Sequence, residues 1–260
     1  MQIGNLISYI NDFTPLYLQE DYDNSGLICG DLSEEIKSIL ITIDITEEVV
    51  DEAIKNGDNL IISHHPLIFN AIKNILPNNY INRALIKAIK NNIAIFSAHT
   101  NLDSVINGVS GKMADKLNLI NRRILQPKIE NTKVGLGIIA YLETPCNTMS
   151  FLKKIKTTFK CERIKYTNIC KPEISKVAIC GGSGASLIKD ALREEADIYI
   201  TGDIKYHEYF ISENKIILAD IGHFESEQFT KEIFFELVTK KIPNFAVRFS
   251  EVKTNPVNYL

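Results

Sequence analysis

Short apolar runs of strand length alternate with longer stretches of helical period along most of the 260 residues. That alternation restricts the chain to an α/β architecture built on parallel strand pairs. Residues 38–45, 59–63 and 93–98 have the Ile- and Leu-rich texture of buried strands, and residues 3–13, 46–56 and 80–91 have the periodicity of helices. Thr46 stands as N-cap before Glu47 and Glu48, and Leu85, Ile86 and Ile89 share one side of the third helix. Residues 113–119 form a further short helix.

After about residue 121 the texture shifts. A long apolar strand over 134–142 and a basic helix over 150–158 precede a strand at 176–180 that enters the turn Gly181-Gly182-Ser183-Gly184. A helix at 185–195, strands at 198–201 and 215–220, one helix over 223–241 and a last strand at 245–252 complete the pattern. Phe229, Ile233, Phe234, Leu237 and Val238 make the apolar stripe of that last helix. With no repeat and no low-complexity linker, any two domains must be tightly joined, with a boundary near residue 125.

A formal charge of −3 without basic runs does not indicate nucleic acid or a membrane surface as a partner. The N-terminal stretch lacks the basic start and apolar core of a secretion signal. No apolar run approaches the roughly 20 residues of a membrane span. The expected compartment is the cytoplasm. Five cysteines, Cys29, Cys146, Cys161, Cys170 and Cys180, contain no C-x-x-C pair, which argues against a disulfide framework or a thiolate metal site. They are expected to stay reduced as small buried apolar groups.

The chemistry concentrates in the histidines. All five lie at or just past a strand end or at the start of the next helix, the edge where open α/β sheets bind ligands. The first cluster, Ser63-His64-His65-Pro66, ends a buried strand in two imidazoles. Neighbours on an extended chain face opposite ways, so two metals side by side suit this pair better than one unless the chain turns. The second, Ala98-His99-Thr100-Asn101-Leu102-Asp103, adds Asp103, a carboxylate able to bridge two cations or to cap a helix. It also adds His99, a ligand or the partner of one. In the third, Gly222 turns strand into helix, so that His223 and Glu227 lie four apart on one face.

Together His64, His65, Asp103, His223 and Glu227 make a nitrogen–oxygen donor set suited to Zn, Mn, Fe or Ni. Five protein ligands are too many for one catalytic tetrahedral zinc and reasonable for two divalent ions with open positions. Gly181, Gly182, Ser183 and Gly184 offer either a backbone cradle for an anionic cofactor or a tight turn serving sheet packing. They lack a P-loop's Gly-Lys-Ser/Thr. Asp203 and His207 join His99 as candidate acid–base groups, though a capped helix start would use the same residues.

These motifs resemble those of the Nif-three-like dinuclear metal-centre proteins, some of them named GTP cyclohydrolase I type 2 homologues. The matching stretches are Tyr22-Asp23-Asn24-Ser25-Gly26-Leu27, the three histidine clusters, Cys180-Gly181-Gly182-Ser183-Gly184, Thr201-Gly202-Asp203 with His207, and Asn255-Pro256. They span nearly the whole chain in the family's order. The resemblance implies metal ligation by the same five residues. It further implies two interleaved α/β domains with mixed sheets flanked by helices, the metal site between them, and a ring-shaped homohexamer. Residues 1–125 plus 223–260 would form the first domain and 126–222 the second. Where the family usually has Trp, Tyr22 stands, a volume loss at a packing position, and the length leaves no room for the inserted domain of some relatives.

Two functions compete. In the first, two cations activate water in a metal-dependent hydrolase. By the family name its small-molecule substrate is a nucleotide, GTP, whose imidazole ring is opened hydrolytically. In the second, the chain is a non-catalytic metal-binding scaffold or regulator whose assembly or partner contacts respond to metal or nucleotide. Turnover separates the two, and so does a metal-dependent oligomer mass.

Overall fold

Strands buried on both faces form the parallel centre of a sheet, and the Ile- and Leu-rich runs take that place here. The computed structural model describes residues 1–128 and 134–260. The chain divides into two compact units, Met1–Leu102 with Thr230–Val257, and Asp103–Phe229 with Asn258–Leu260. The sequence reading set these boundaries at 125 and 222. The strand at 120–127 belongs instead to the second unit, because it pairs there with the strand that follows it.

The first unit opens with α1 (Ile3–Phe13), β1 (Gly26–Cys29), β2 (Ile39–Thr42), α2 (Glu47–Asn56), β3 (Leu60–Ser63), α3 (Tyr80–Lys90) and β4 (Ala94–Ser97). The short helix α4 (Thr100–Asp103) carries the chain across the boundary. The second unit contains α5 (Val109–Lys116), β5 (Ile120–Pro127), β6 (Gly135–Asn147), α6 (Thr148–Thr158), β7 (Lys165–Tyr166), β8 (Glu173–Ser183), α7 (Ile188–Arg193), β9 (Ile198–Gly202), β10 (Ile217–Asp220) and α8 (His223–Glu227). The first unit is completed by α9 (Thr230–Lys241) and β11 (Val247–Phe249).

Both sheets are mixed and flanked by helices. The first has the order β1-β4-β3-β2-β11, parallel except for β1 against β4. Leu40, Ile61 and Ile95 pack from it onto Val49, Val50 and Ala53 of α2 and Ala84, Leu85 and Ala88 of α3. Helix α2 starts as expected, with the Thr46 hydroxyl accepting the Val49 N–H at 3.4 Å. The second sheet has the order β5-β6-β8-β9-β10-β7, with β8, β9 and β10 parallel and the other pairs antiparallel. Its alternating residues feed two cores. Val177, Ile179 and Ile200 meet Phe151 and Phe159 on one face, while Ala178 and Tyr199 meet Leu187, Ile188 and Ala191 on the other.

Two sequence expectations change. The helix expected over 223–241 is two helices, broken at Gln228 and Phe229. The apolar stripe serves two destinations: Phe229 packs against the second unit's core, 5.7 Å from Phe159, while Thr230 onward belongs to the first unit. The glycine turn at 181–184 is replaced by strand that runs on to Ser183, with the helical segment starting at Ala185. All five cysteines are free thiols, with Cys161 and Cys180 buried and the other three half-buried. Among the described residues no helix is long and apolar enough to cross a membrane.

Candidate metal centre

Strand register builds the histidine group of the first unit. Ser63 pairs with both Thr42 and Ser97, so the residues one and two beyond these pairs lie side by side at the sheet's carboxyl edge. His64 and His65 thereby meet Ala98 and His99, and His65 meets Asp44. The ring centroids of His64 and His65 lie 4.9 Å apart, and each lies 5.2 Å from that of His99. One ring nitrogen from each of the three falls within 4.8 Å of the others. The expected divergence of His64 and His65 does not occur, because the chain bends after Ser63. There the Ser63 hydroxyl donates to the His65 carbonyl at 2.8 Å and meets the Ser97 hydroxyl at 2.7 Å.

Each ring is held through Nδ1. The His64 Nδ1–H donates to the Ala98 carbonyl at 2.9 Å, the His65 Nδ1–H to Asp44 Oδ1 at 2.7 Å, and the His99 Nδ1–H to Asp23 Oδ1 at 2.8 Å. Carbonyl and carboxylate oxygens only accept, so each Nδ1 carries a proton and the neutral ring has its lone pair on Nε2. The anchors are themselves braced. Asp44 Oδ2 accepts from the Thr254 hydroxyl at 2.7 Å. Asp23 Oδ2 accepts from the Ser25 hydroxyl at 3.0 Å, the Thr100 N–H at 3.0 Å and the Thr100 hydroxyl. Burial opposes ionisation of Asp23, but His99 and Thr100 outweigh it and hold the carboxyl well below the usual range.

The second unit repeats the device. Thr201 pairs with Asp220 in the parallel register of β9 and β10, which brings Asp203 beside Gly222 and His223. The His223 Nδ1–H donates to Asp203 Oδ2 at 2.7 Å, and Nε2 lies 3.2 Å from Glu227 Oε2, one turn along α8. Burial pulls the His223 pKa down, and the carboxylates of Asp203 and Glu227 overcome this and push it up to about 11. A bound cation would take the place of that proton, because a ligating imidazole must be neutral. Close approach of α8 to the sheet depends on glycine. At Gly182, with φ +63°, a Cβ would lie 2.2 Å from Glu227 Oε1. Asp103, at the end of α4, and Glu227 both act on the buried Cys180 thiol; burial first, then these charges, push it up to about 12.

The sequence-derived residues therefore sort by place. His64, His65 and His99 come together in the first unit, and His223, Glu227 and Asp203 in the second. The Asp103 and Glu227 carboxylates each raise the Cys180 pKa. Asp203, read from sequence as an acid–base group, positions His223. His207 is exposed in a ring cluster with Tyr206 and Phe210, at 5.2 and 6.3 Å. The anion-cradle reading of residues 181–184 gives way to packing. The Gly181, Gly182 and Gly184 N–H groups donate to the hydroxyls of Ser110, Ser226 and Thr201, at 3.2, 2.8 and 3.0 Å, and Ser183 pairs with Gly202. Tyr22 is not a packing residue either, since it is 65% exposed. Asp44 and Thr254 went unnoticed in the sequence.

The donor chemistry fits a metal ion: imidazoles held through Nδ1, carboxylate oxygens, and an oxygen acceptor behind every ring. Fold and side chains together define a mixed α/β protein carrying histidine and glutamate groups able to bind a metal. The chain belongs to the DUF34/NIF3 (NGG1p interacting factor 3) family, whose model matches residues 1–256. It is 36% identical over 230 residues to a GTP cyclohydrolase 1 type 2 homolog of Clostridium perfringens, covering 87% of each chain. A protein of the same description from Campylobacter jejuni is 30% identical over 263 residues, covering 100% of both. The crystal structure of the Staphylococcus aureus hypothetical protein SA1388 superposes with a TM-score of 0.91 at 27% identity, covering 100% of this chain and 99% of that one.

Proposed function

We propose that this chain is a metal-dependent hydrolase in which His64, His65, Asp103, His223 and Glu227 hold two divalent ions. The observation that carries the reading is the common anchoring of the imidazoles. His64, His65 and His223 each spend Nδ1–H on an oxygen and so present Nε2 as a ligand. Structural histidines have no need of that uniformity, whereas metal ligands depend on it for tautomer and orientation. When bound, the two ions supply Lewis-acid polarisation of the substrate and lower the pKa of water toward neutrality.

The chain's own residues supply the rest. Asp44, Asp203 and the Ala98 carbonyl fix the ligand rings, and Asp103 and Glu227 bring negative charge to offset the cations. His99, oriented by Asp23 and 5.2 Å from His64 and His65 by ring centroid, is the group placed to take or return a proton. The names of the relatives, GTP cyclohydrolase 1 type 2 homolog, support GTP as substrate, and the reaction we infer is hydrolytic opening of its imidazole ring with release of formate.

Metal analysis of purified protein should find about two ions per chain. Incubation of that protein with GTP should release formate, and the His64→Ala, His65→Ala double variant should not. Fewer than one ion per chain removes the metal reading. Two ions with no turnover above the double variant remove the hydrolase and leave a metal-responsive scaffold.

A further inference from the structure

Segment 22–25 does two things at once. Asp23 orients His99, and Asn24 Nδ2 donates to the Ile68 carbonyl at 2.6 Å, clamping the start of the loop that follows His64, His65 and Pro66. The next residue in that loop is Phe69, whose ring centroid lies 6.0 Å from that of His99 with the planes 72° apart. The Tyr22 ring centroid lies 6.1 Å from that of Phe69. Both rings face outward, Tyr22 65% and Phe69 42% exposed. The two rings form a small exposed aromatic pair, joined to the histidine group through Phe69 and unused by the core. Rings of this kind line small-molecule sites, where they bind flat apolar surface next to a few convergent polar groups.

We propose that Tyr22 and Phe69 form an aromatic wall that selects substrates carrying a flat ring beside the group that meets the metal. The inference rests on the metal reading above and adds the substrate's shape. A substrate held at the histidines would have the Phe69 ring within reach, since its centroid lies 6.0 Å from that of His99. The wall is preorganised, because Asn24 and Asp23 tie both of its supports to the residues that orient the site. It therefore favours a ring over a chain of equal hydrophobicity, since little side-chain freedom is lost on stacking.

Two small probes with one metal-binding head test this: acetohydroxamate, with a methyl tail, and benzohydroxamate, with a phenyl tail. Both are titrated calorimetrically into metal-loaded full-length protein. The wild type should prefer benzohydroxamate by about tenfold, the range of one aromatic stack together with the buried area. Phe69→Leu should cut that preference by about three- to tenfold. Acetohydroxamate affinity and metal content should stay unchanged. Tyr22→Leu should act in the same direction. No preference in the wild type, or a preference that survives both substitutions, overturns the wall. If acetohydroxamate fails to bind the wild type, the metal reading itself has failed and the wall falls with it.

Discussion

Gly182→Ala separates the two demands made on one backbone position. The residue sits in strand β8 at φ +63°, where an L side chain costs about 1–2 kcal/mol. Its added methyl would also stand 2.2 Å from Glu227 Oε1, about 0.8 Å inside the 3.0 Å that real Cβ contacts respect. Glu227 is buried and α8 is short, so the carboxylate must rotate or the helix must lift. Gly57 provides the control. It also has a left-handed φ, +74°, at the end of α2, but nothing lies within 4 Å of its added methyl. Both alanine variants should lose about 2–8 °C in Tm, the size of the backbone term for a chain of this length. Only Gly182→Ala should lose metal affinity, by about 10–100-fold, as when a ligand's support is removed. Calorimetric metal titration beside thermal unfolding followed by circular dichroism reads both quantities. A folded Gly182→Ala protein with wild-type affinity would refute the placing of Glu227 among the ligands.

Asp44→Ala should weaken metal binding by about 10–100-fold, measured by competition with a chelator, because His65 loses the acceptor that fixes its tautomer. Unchanged affinity would show that the ring needs no such anchor. A third variant concerns stability alone. Burial would raise the Asp197 carboxyl, but the Lys171 ammonium at 2.6 Å and the Lys176 and Ser175 N–H groups at 2.8 Å outweigh it and hold it low. A depressed folded pKa adds stability that is complete above the unfolded value, near 3.8, and is lost as pH falls through the folded one. Asp197→Asn should therefore cost about 1–2 kcal/mol at pH 7, shrinking below about pH 4, in urea unfolding across that range. A cost independent of pH would mean that charge plays no part.

Much of the fold was legible because it is written in periodicity. The runs at Leu60–Ser63 and Ala94–Ser97 are buried on both faces, and such strands cannot avoid continuous apolar sequence. The short edge strand Lys165–Tyr166 carries no such pattern and was not anticipated. The candidate ligands were legible through position, since histidines just past strand ends are rare enough to notice. Their supports were not. Asp44 is an unremarkable carboxylate until the pairing of Thr42 with Ser63 sets it beside His65, and no local signal encodes that register. Asp203 was noticed for the wrong reason. A lone carboxylate after a strand suggests acid–base chemistry, and only the alignment of β9 with β10 shows that it faces His223. The glycines at 181 and 182 misled in the opposite sense, because a packing need and a phosphate cradle look alike in sequence.

The anchors of the imidazoles are all distant in sequence: 34 residues for His64, 21 for His65, 76 for His99 and 20 for His223. An unfolded chain consequently offers histidines whose two tautomers exchange freely, and no nascent loop reproduces the set. A metal held by these rings would thus be a ligand of the finished structure. The protein should refold in the presence of chelator and take up its ions afterwards, so loading marks the end of folding instead of guiding it.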